Sequence, residues 1–250
     1  MNYLTVIPAR YASTRFPGKP LALLGGKPVV QWVYEQAQKV CEHVVVATDD
    51  ERIVAAVAAF KGQAIMTSAT HPSGTDRCLE AAEIYREQAG IDFDVVINIQ
   101  GDEPFIATAQ IELLKSAFAQ DKVDIATLVT PFTHTVQDIL NPNNVKVTFS
   151  KSGKALYFSR SPIPYLRDIP QEKWMEHRTF YHHLGMYAYR FKVLREITEL
   201  APSDLEKAER LEQLRWLENG YTIFVGQSSQ GSIGIDTPED LSAAEALLSK

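Results

Sequence analysis

The segment "YLTVIPARYASTRFPGKP" (residues 3–20) joins an apolar run to a loop of small and cationic residues. The run "YLTVI" is typical of a buried β-strand, and a helical pattern, "PVVQWVYEQAQKV", follows soon after the loop. The loop carries Arg10, Arg15 and Lys19. Together they could hold a polyphosphate, because arginine presents a fork of donors and lysine a compact charge. The alternative interpretation is a solvated surface loop, which describes most short basic clusters.

Strand-like and helical patterns alternate through the first half of the chain. After "YLTVI", the strand-like runs are "HVVVAT", "AIMT" and "DVVINI", separated by helical stretches such as "DERIVAAVAAF". This alternation predicts βα units and hence an α/β fold with a largely parallel sheet, whose apolar strands are covered on both faces. Ligands of such sheets bind beyond the carboxyl ends of the strands. The loop after "YLTVI", "TDD" (48–50) and "QGDEP" (100–104) all fall there.

The pattern changes from about Val145 onward. Two consecutive strand-like runs, "VKVTFS" and "ALYFSR", are followed by the proline-rich "SPIPYLRDIP". Helical patterns return in "FKVLREITEL" and "LEKAERLEQLRWLENG". Because no Gly/Ser-rich linker separates the two parts, we expect residues 1–250 to form a single domain with an extension at about 145–190.

The composition argues against several classes of protein. A formal net charge of −6 and a pI near 5.6 argue against general binding of nucleic acid or acidic membrane surfaces, which requires excess positive charge. No apolar run approaches the length of a membrane span, so we expect a soluble, cytoplasmic protein. Cys41 and Cys78 lie far apart and indicate neither a disulfide scaffold nor a thiolate metal site.

Two acidic motifs are candidates for binding a divalent cation. Asp102 of "NIQGDEP" directly follows a strand-like run, and Asp236 of "GIDTPEDL" precedes a predicted helix. Carboxylates are ligands that Mg²⁺ prefers. Each residue also has an ordinary alternative: Asp102 could begin a turn before Pro104, and Asp236 could cap the helix.

Eight segments, in the same order along nearly the whole chain, resemble the 3-deoxy-manno-octulosonate cytidylyltransferase (CMP-Kdo synthetase) family. They are "IPARYASTRFPGKPL", "VATDD", "SGTDR", "NIQGDEP", "ALYFSRSPIP", "HHLGMYAYR", "LEQLRWLENGY" and "IDTPEDL". The resemblance implies a nucleotide-diphospho-sugar transferase-like (Rossmann-like) fold: a single three-layer domain with a mostly parallel mixed sheet and an inserted β-rich extension for dimerisation and sugar binding. It also implies a nucleotidyltransferase that transfers CMP from CTP to the sugar acid Kdo, releasing diphosphate, for lipopolysaccharide biosynthesis.

The resemblance implies roles for individual residues and for partners. Nucleotide binding would involve Pro8, Ala9, Arg10, Arg15, Lys19, Ser73, Arg77 and Gln100. Sugar binding would involve Gln100, Arg160, Arg167, His183, Tyr187, Glu212 and Gln213. Arg10, Arg15, Lys19 and Asp102 would be catalytic, and Asp102 and Asp236 would bind Mg²⁺. The partners would be CTP, Kdo and a second copy of the chain, with no nucleic acid and no membrane.

Alternatives remain for several residues and for the function. Without the resemblance, Glu212 and Gln213 are ordinary polar positions on an amphipathic helix, and Tyr187 is an inward-facing strand aromatic. His182 and His183 are adjacent in a strand-like run and should point to opposite faces. The same chemistry on 8-amino-Kdo or a sialic acid is one alternative function. A catalytically silent nucleotide-binding regulator is another, disfavoured by the presence of both carboxylates and all three cations.

Overall fold

The computed structural model describes residues 1–12, 15–119 and 122–248. The strands are β1 (Tyr3–Pro8), β2 (Leu23–Leu24), β3 (Lys27–Pro28), β4 (His43–Thr48), β5 (Ala64–Met66), β6 (Val95–Asn98), β7 (Ile125–Pro131), β8 (Lys146–Phe149), β9 (Ala155–Ser159), β10 (Tyr181–Arg190) and β11 (Ile223–Gln227). The α-helices are α1 (Val29–Gln38), α2 (Glu51–Ala59), α3 (Gly74–Ala89), α4 (Thr108–Ala117), α5 (Val136–Leu140), α6 (Trp174–His177), α7 (Phe191–Thr198), α8 (Asp204–Glu209), α9 (Glu212–Glu218) and α10 (Pro238–Leu248). Short 3-10 helices span Lys19–Leu21 and Gln171–Lys173.

The first of two compact units comprises residues 1–112, 188–198 and the chain from 232 onward. Within it, β6, β1, β4 and β5 lie side by side in that order, and the three pairings are parallel. Val6, Val45 and Ile97, one from each of three neighbouring strands, are completely buried. The predicted α/β fold with a largely parallel sheet is confirmed. The loops that follow β1, β4 and β6 therefore emerge at one edge of this sheet.

Side-chain caps fix where the helices of this edge begin. Asp50 accepts a hydrogen bond from the backbone N–H of Arg52 and so caps α2, directly after β4. Ser73 caps α3 by accepting from the backbone N–H groups of Thr75 and Asp76. Both caps satisfy donors that a helix start leaves without a partner.

The second unit comprises residues 113–187 and 199–231. Strand β7 pairs in parallel with β11, and β8 and β9 form an antiparallel hairpin in which Val147 lies opposite Phe158. These two strands correspond to the predicted runs "VKVTFS" and "ALYFSR". The single domain at 1–250 and the functions of its extension at about 145–190 remain predictions.

The helical pattern of "LEKAERLEQLRWLENG" is interrupted in the structure. Arg210 adopts a left-handed backbone conformation with φ of 53°, so α8 ends and α9 begins anew at Glu212. The guanidinium of Arg160 donates to the carbonyl oxygens of Glu209 (2.7 Å) and Arg210 (3.3 Å). These bonds stabilise a break that costs a non-glycine residue energy.

None of the helices in the described ranges is both long and apolar enough to cross a bilayer.

Candidate active site

A cavity of about 400 Å³ opens at the carboxyl ends of β1 and β6 in the first unit. Of the residues predicted to bind nucleotide or metal, all except Ser73 and Arg77 line this cavity. Among the described residues, its lining consists of Pro8, Ala9, Arg10, Ala12, Arg15, Lys19, Pro20, Gly74, Gln100, Gly101, Asp102 and Asp236. Residues far apart in the sequence therefore converge at the edge of the sheet where α/β proteins bind ligands.

The Lys19 ammonium lies between two carboxylates at this cavity. Its Nζ is 2.5 Å from Oδ2 of Asp102 and 3.0 Å from Oδ1 of Asp236. The other oxygen of Asp236 lies 3.0 Å from Nη2 of Arg15. Burial opposes the charge on Lys19, but the two carboxylates outweigh it, so the pKa of Lys19 is raised. The lysine is therefore charged throughout the neutral range.

The turn that carries Asp102 depends on a glycine. A Cβ at Gly101 would lie 2.8 Å from the carbonyl oxygen of Pro8, too close for any side chain. On its other side, the backbone N–H of Ile235 donates to the carbonyl oxygen of Asp102 over 2.9 Å. The turn is thus pressed against the end of β1 and joined to the segment that carries Asp236.

Asp236 does not cap the helix that follows it. The Asp240 carboxylate accepts from the backbone N–H groups of Asp236 (3.0 Å) and Thr237 (2.9 Å), while the Thr237 hydroxyl accepts from the backbone N–H of Asp240 (3.2 Å). The start of α10 is therefore satisfied by Thr237 and Asp240. The carboxylate of Asp236 is left to contact Lys19 and Arg15, so the helix-cap interpretation is wrong.

The two loop arginines differ in how they are held. Nη2 of Arg10 donates to the carbonyl oxygen of His71 over 2.8 Å, which ties the loop after β1 to the segment before α3. The Arg15 side chain is 65% exposed and contacts Asp236. Arg10, Arg15 and Lys19 nonetheless line the same cavity. This arrangement suits a ligand with several negative charges.

Ser73 and Arg77 are engaged elsewhere in the first unit. The Ser73 hydroxyl caps α3 and donates to Oδ2 of Asp76 over 2.5 Å. The completely buried Arg77 donates from Nη1 to the Thr67 hydroxyl (2.6 Å) and from Nη2 to Asp49 (2.8 Å). Nucleotide binding by these two side chains stays a prediction, while the neighbouring Gly74 lines the cavity.

Among the predicted sugar residues, His183 and Tyr187 belong to one aromatic cluster in the second unit. The His183 ring lies 5.1 Å from the Phe158 ring and 5.3 Å from that of Tyr187. Burial and, to a smaller extent, the neighbouring His182 lower the pKa of His183 to about 3, so His183 is neutral. Burial also raises the pKa of Tyr187 well above its ordinary value, and the charge of Glu212 adds to this.

A hydrogen bond to Thr127 holds the ring of His183. Nε2 of His183 lies 3.0 Å from the Thr127 hydroxyl. The same hydroxyl lies 2.9 Å from the carbonyl oxygen of Met186 and 3.3 Å from that of Leu184. His182 contacts a different side chain, the ring of Phe132 at 5.4 Å, as expected for neighbours on a strand.

The two arginines predicted to meet the sugar carboxylate lie in different surroundings. Arg160 donates to the carbonyl oxygen of Pro142 (3.0 Å) as well as to those of Glu209 and Arg210. Arg167 is 89% exposed and lies 3.5 Å from the carboxylate of Asp168. Arg160 therefore holds main chain in place, whereas Arg167 is open to solvent.

Glu212 and Gln213 form the first turn of α9. Glu212 accepts from Nη2 of Arg215 over 2.8 Å, and Gln213 is only 5% exposed. The ring of Trp216, on the same helix, lies 5.1 Å from the Tyr187 ring in an edge-to-face contact. The structure thus brings Tyr187 and α9 together, although sugar binding by these residues stays a prediction.

A completely buried lysine in the second unit is a residue that sequence reasoning missed. The ammonium of Lys146 donates to the carbonyl oxygens of Asn141 (3.0 Å), Asn144 (2.6 Å) and Arg160. In "VKVTFS" the lysine alternates with valines, a pattern that predicts a solvent-facing side chain. No feature of the sequence distinguishes it from a surface lysine.

A second missed residue adjoins Asp102. The pKa of the Glu103 carboxyl is raised to about 7, chiefly by burial and further by the charges of Asp102 and Asp236, while the hydroxyl of Ser232 opposes the rise. Its position in "GDEP" predicts a turn residue, and only the contacts of the folded chain show that its carboxyl is buried.

The comparisons with known proteins agree with one another. The sequence model of the cytidylyltransferase family matches residues 4–223. A 3-deoxy-manno-octulosonate cytidylyltransferase of Phocaeicola vulgatus is 56% identical over 99% of this chain and 98% of its own. One of Parabacteroides distasonis is 55% identical with the same coverage. A solved structure of CMP:2-keto-3-deoxy-manno-octonic acid synthetase complexed with CTP superposes with a TM-score of 0.89, at 41% identity, covering 100% of this chain and 99% of that one.

The matched region of the family includes β1, its cationic loop and the turn with Asp102, and the two relatives extend the similarity over the segment with Asp236. The solved structure shares the fold over the whole length of both chains. The chain therefore belongs to the 3-deoxy-manno-octulosonate cytidylyltransferase family.

Proposed function

We propose that this chain transfers CMP from CTP to 3-deoxy-D-manno-octulosonate (Kdo), giving CMP-Kdo and diphosphate, and so activates Kdo for lipopolysaccharide biosynthesis. The observation that carries the proposal is the cavity where Lys19, Arg15, Asp102 and Asp236 converge. Together with membership of the family, this arrangement supports a site in which the cations bind a triphosphate and the carboxylates bind a metal ion.

Asp102 and Asp236 suit a magnesium ion. Their oxygens approach a single nitrogen, that of Lys19, so carboxylates from two distant segments already converge on one cation. Among the described residues, no group of three or more His, Cys, Asp and Glu side chains could hold a metal ion. Asp102 and Asp236 would hold Mg²⁺, which proteins commonly bind through one or two carboxylates together with substrate phosphates. When bound, Mg²⁺ would neutralise charge on the phosphate oxygens.

The reaction is a direct displacement at phosphorus. The anomeric hydroxyl of the sugar attacks the α-phosphorus of CTP in line, and diphosphate leaves from the opposite side. Arg10, Arg15 and Lys19 hold the phosphate oxygens and stabilise the charge that develops on them. To reach those oxygens, the Lys19 ammonium exchanges part of its contact with Asp102 and Asp236 for the phosphates. No covalent intermediate with the protein is needed.

The nucleotide and the sugar acid use different parts of the chain in this proposal. In the first unit, Pro8, Ala9 and Gln100 contact CTP. In the second unit, the exposed guanidinium of Arg167 binds the sugar carboxylate. The neutral ring of His183 hydrogen-bonds a sugar hydroxyl. Arg160 keeps the backbone before Glu212 and Gln213 in place and offers its remaining N–H groups to the sugar.

The same proposal includes a homodimer in the cytoplasm. Leu156 and Tyr165, in the extension at about 145–190, are 62% and 72% exposed, and exposed apolar side chains of this size suit a protein interface. Sedimentation equilibrium should give twice the chain mass; a monomer at micromolar concentration would contradict the dimer. A cytoplasmic location is supported by the use of CTP, and fractionation of cells tests it.

The test is diphosphate release from CTP, Mg²⁺ and Kdo. The expected result is diphosphate in equal amount to CMP-Kdo, identified by mass spectrometry, with little release when Kdo is omitted. Parallel reactions with 8-amino-Kdo and with a sialic acid measure the choice of sugar, and a higher kcat/KM with either would overturn the assignment of Kdo. Binding of CTP without release in any arm would favour a regulator instead.

A further inference from the structure

Tyr11 occupies the middle of the loop that carries the phosphate cations. It follows Arg10 directly, and its carbonyl oxygen accepts from the backbone N–H of Gly18 over 2.8 Å. Gly18 in turn precedes Lys19, the first residue of a 3-10 helix. Because this hydrogen bond joins Tyr11 to Gly18, it brings their chain neighbours Arg10 and Lys19 close together.

Gly18 lies against one side of the Tyr11 ring. Its φ is +74°, a left-handed conformation that favours glycine, and a Cβ built on it would lie 3.2 Å from three atoms of the tyrosine side chain. The ring therefore lies against bare backbone at this point. A side chain at position 18 would push the ring away and open the loop.

The guanidinium of Arg52 covers the tyrosine ring as well. Its Cζ lies 3.3 Å from the ring centroid, well within the range of a cation–π contact. The guanidinium is held by a forked pair of bonds to Asp50, from Nε to Oδ1 (2.9 Å) and from Nη2 to Oδ2 (2.6 Å). Asp50 caps α2 directly after β4, so this contact connects the loop to the sheet.

We propose that Tyr11 and Arg52, fixed by Asp50, form a clasp that positions Arg10 and Lys19 for the triphosphate of CTP. Both are positioning residues, since neither is among the described residues that line the cavity. The inference rests on the proposed function, because it takes the triphosphate to be what the loop binds. Before CTP binds, the clasp limits the conformations of the loop in which Arg10 and Lys19 are far apart.

The test compares variants of the clasp with a matched control. Arg52→Ala removes an exposed side chain, and Tyr11→Leu removes the aromatic ring. Tyr11→Phe keeps the ring and should therefore keep the CTP affinity of the unmodified chain. The control is Arg195→Ala, because Arg195 also combines an ion pair (2.9 Å to Glu83) with a ring contact (4.8 Å to Phe191), both away from the cavity. CTP affinity is measured by titration calorimetry without sugar, and KM is measured for each substrate.

Arg52→Ala and Tyr11→Leu should each weaken CTP binding and raise the KM for CTP by roughly threefold to tenfold, with the KM for Kdo unchanged. The double variant should have the same CTP affinity as the single variant with the lower affinity, because both changes remove the same contact. Tyr11→Phe and Arg195→Ala should match the unmodified chain. Unchanged CTP affinity in folded Arg52→Ala, or fully additive losses in the double variant, would overturn the clasp.

Failure of the clasp and failure of the proposed function give different results. If the unmodified chain binds CTP but no sugar acid releases diphosphate, the proposed function fails, and the calorimetric comparison still decides the clasp. If Kdo turns over normally and the clasp variants bind CTP as the unmodified chain does, only the clasp fails. An unmodified chain that binds no CTP overturns both.

Discussion

Replacing His183 by glutamine should make the protein less sensitive to mild acid. His183 has a pKa of about 3 in the folded chain, lowered from 6.5 by burial and by His182. Because the folded-state pKa is the lower one, the unfolded chain takes up the proton first as the pH falls. The stability present above about pH 6.5 is therefore lost progressively between about pH 6.5 and pH 3.

The size of the effect at pH 5 follows from the unfolded state alone. At pH 5 the histidine of the folded chain is still neutral. In the unfolded chain its pKa is about 6.5, so pH 5 lies about 1.5 units below that pKa. At about 1.4 kcal/mol per pH unit, protonation of His183 in the unfolded chain should lower the free energy of unfolding at pH 5 by about 2 kcal/mol relative to pH 7.5. For a chain of this size that corresponds to a Tm lowered by roughly 4–8 °C.

The assay is urea unfolding at pH 7.5 and pH 5 for the unmodified chain, His183→Gln and a control, His177→Gln. His177 is exposed, so its variant should show the same loss between the two pH values as the unmodified chain. His183→Gln should lose about 2 kcal/mol less, whatever its absolute stability. Taking differences between pH values cancels the contribution of the carboxylates, which all three proteins share. A loss in His183→Gln within about 0.5 kcal/mol of the unmodified chain would refute the reasoning.

Three further outcomes are expected. Asp102→Asn and Asp236→Asn should each keep the fold but nearly abolish turnover, because an amide is a poorer magnesium ligand than a carboxylate; normal rates at saturating Mg²⁺ would contradict both ligand assignments. Lys146→Met should lower the unfolding free energy by roughly 2–4 kcal/mol, measured in urea, since buried carbonyl oxygens lose their donor; a loss below about 1 kcal/mol would show that water replaces the ammonium easily. The Cys41→Ser, Cys78→Ser double variant should turn over if it folds, and a folded, CTP-binding but inactive variant would contradict direct displacement.

The fold and half of the candidate site follow from features that are local in sequence. Apolar runs such as "HVVVAT" and "DVVINI" predict the strands β4 and β6, because four successive buried positions leave few alternatives to a covered sheet. The rule that ligands bind beyond the carboxyl ends of strands then brings Lys19 and Asp102 together without any coordinates. Asp236 required the family resemblance, since its local pattern favours a helix cap.

The remaining features depend on contacts between residues that no periodic pattern connects. Arg210 interrupts a helical pattern because Arg160, fifty residues earlier, bonds the backbone at the break. The local sequence of Arg77 is typical of an exposed helix residue, but in the folded chain its guanidinium is hydrogen-bonded to Asp49 and Thr67. The Tyr11 and Arg52 contact joins a loop to a helix start, and each residue alone is typical of a surface. Such contacts arise from the three-dimensional arrangement, so the sequence around each residue holds no trace of them.

The hydrogen bond between Lys19 and Asp236 joins residues 217 positions apart, so it forms only late in synthesis on the ribosome. Lys19 and Asp102 can meet while the chain is still being made, whereas Asp236 arrives only after a further stretch of synthesis. At about 5–20 residues per second, roughly 10–40 s separate the appearance of the lysine from that of its second partner. A nascent chain therefore carries its cationic loop before it has both carboxylates, and a chain that stops short of Asp236 cannot assemble this cluster.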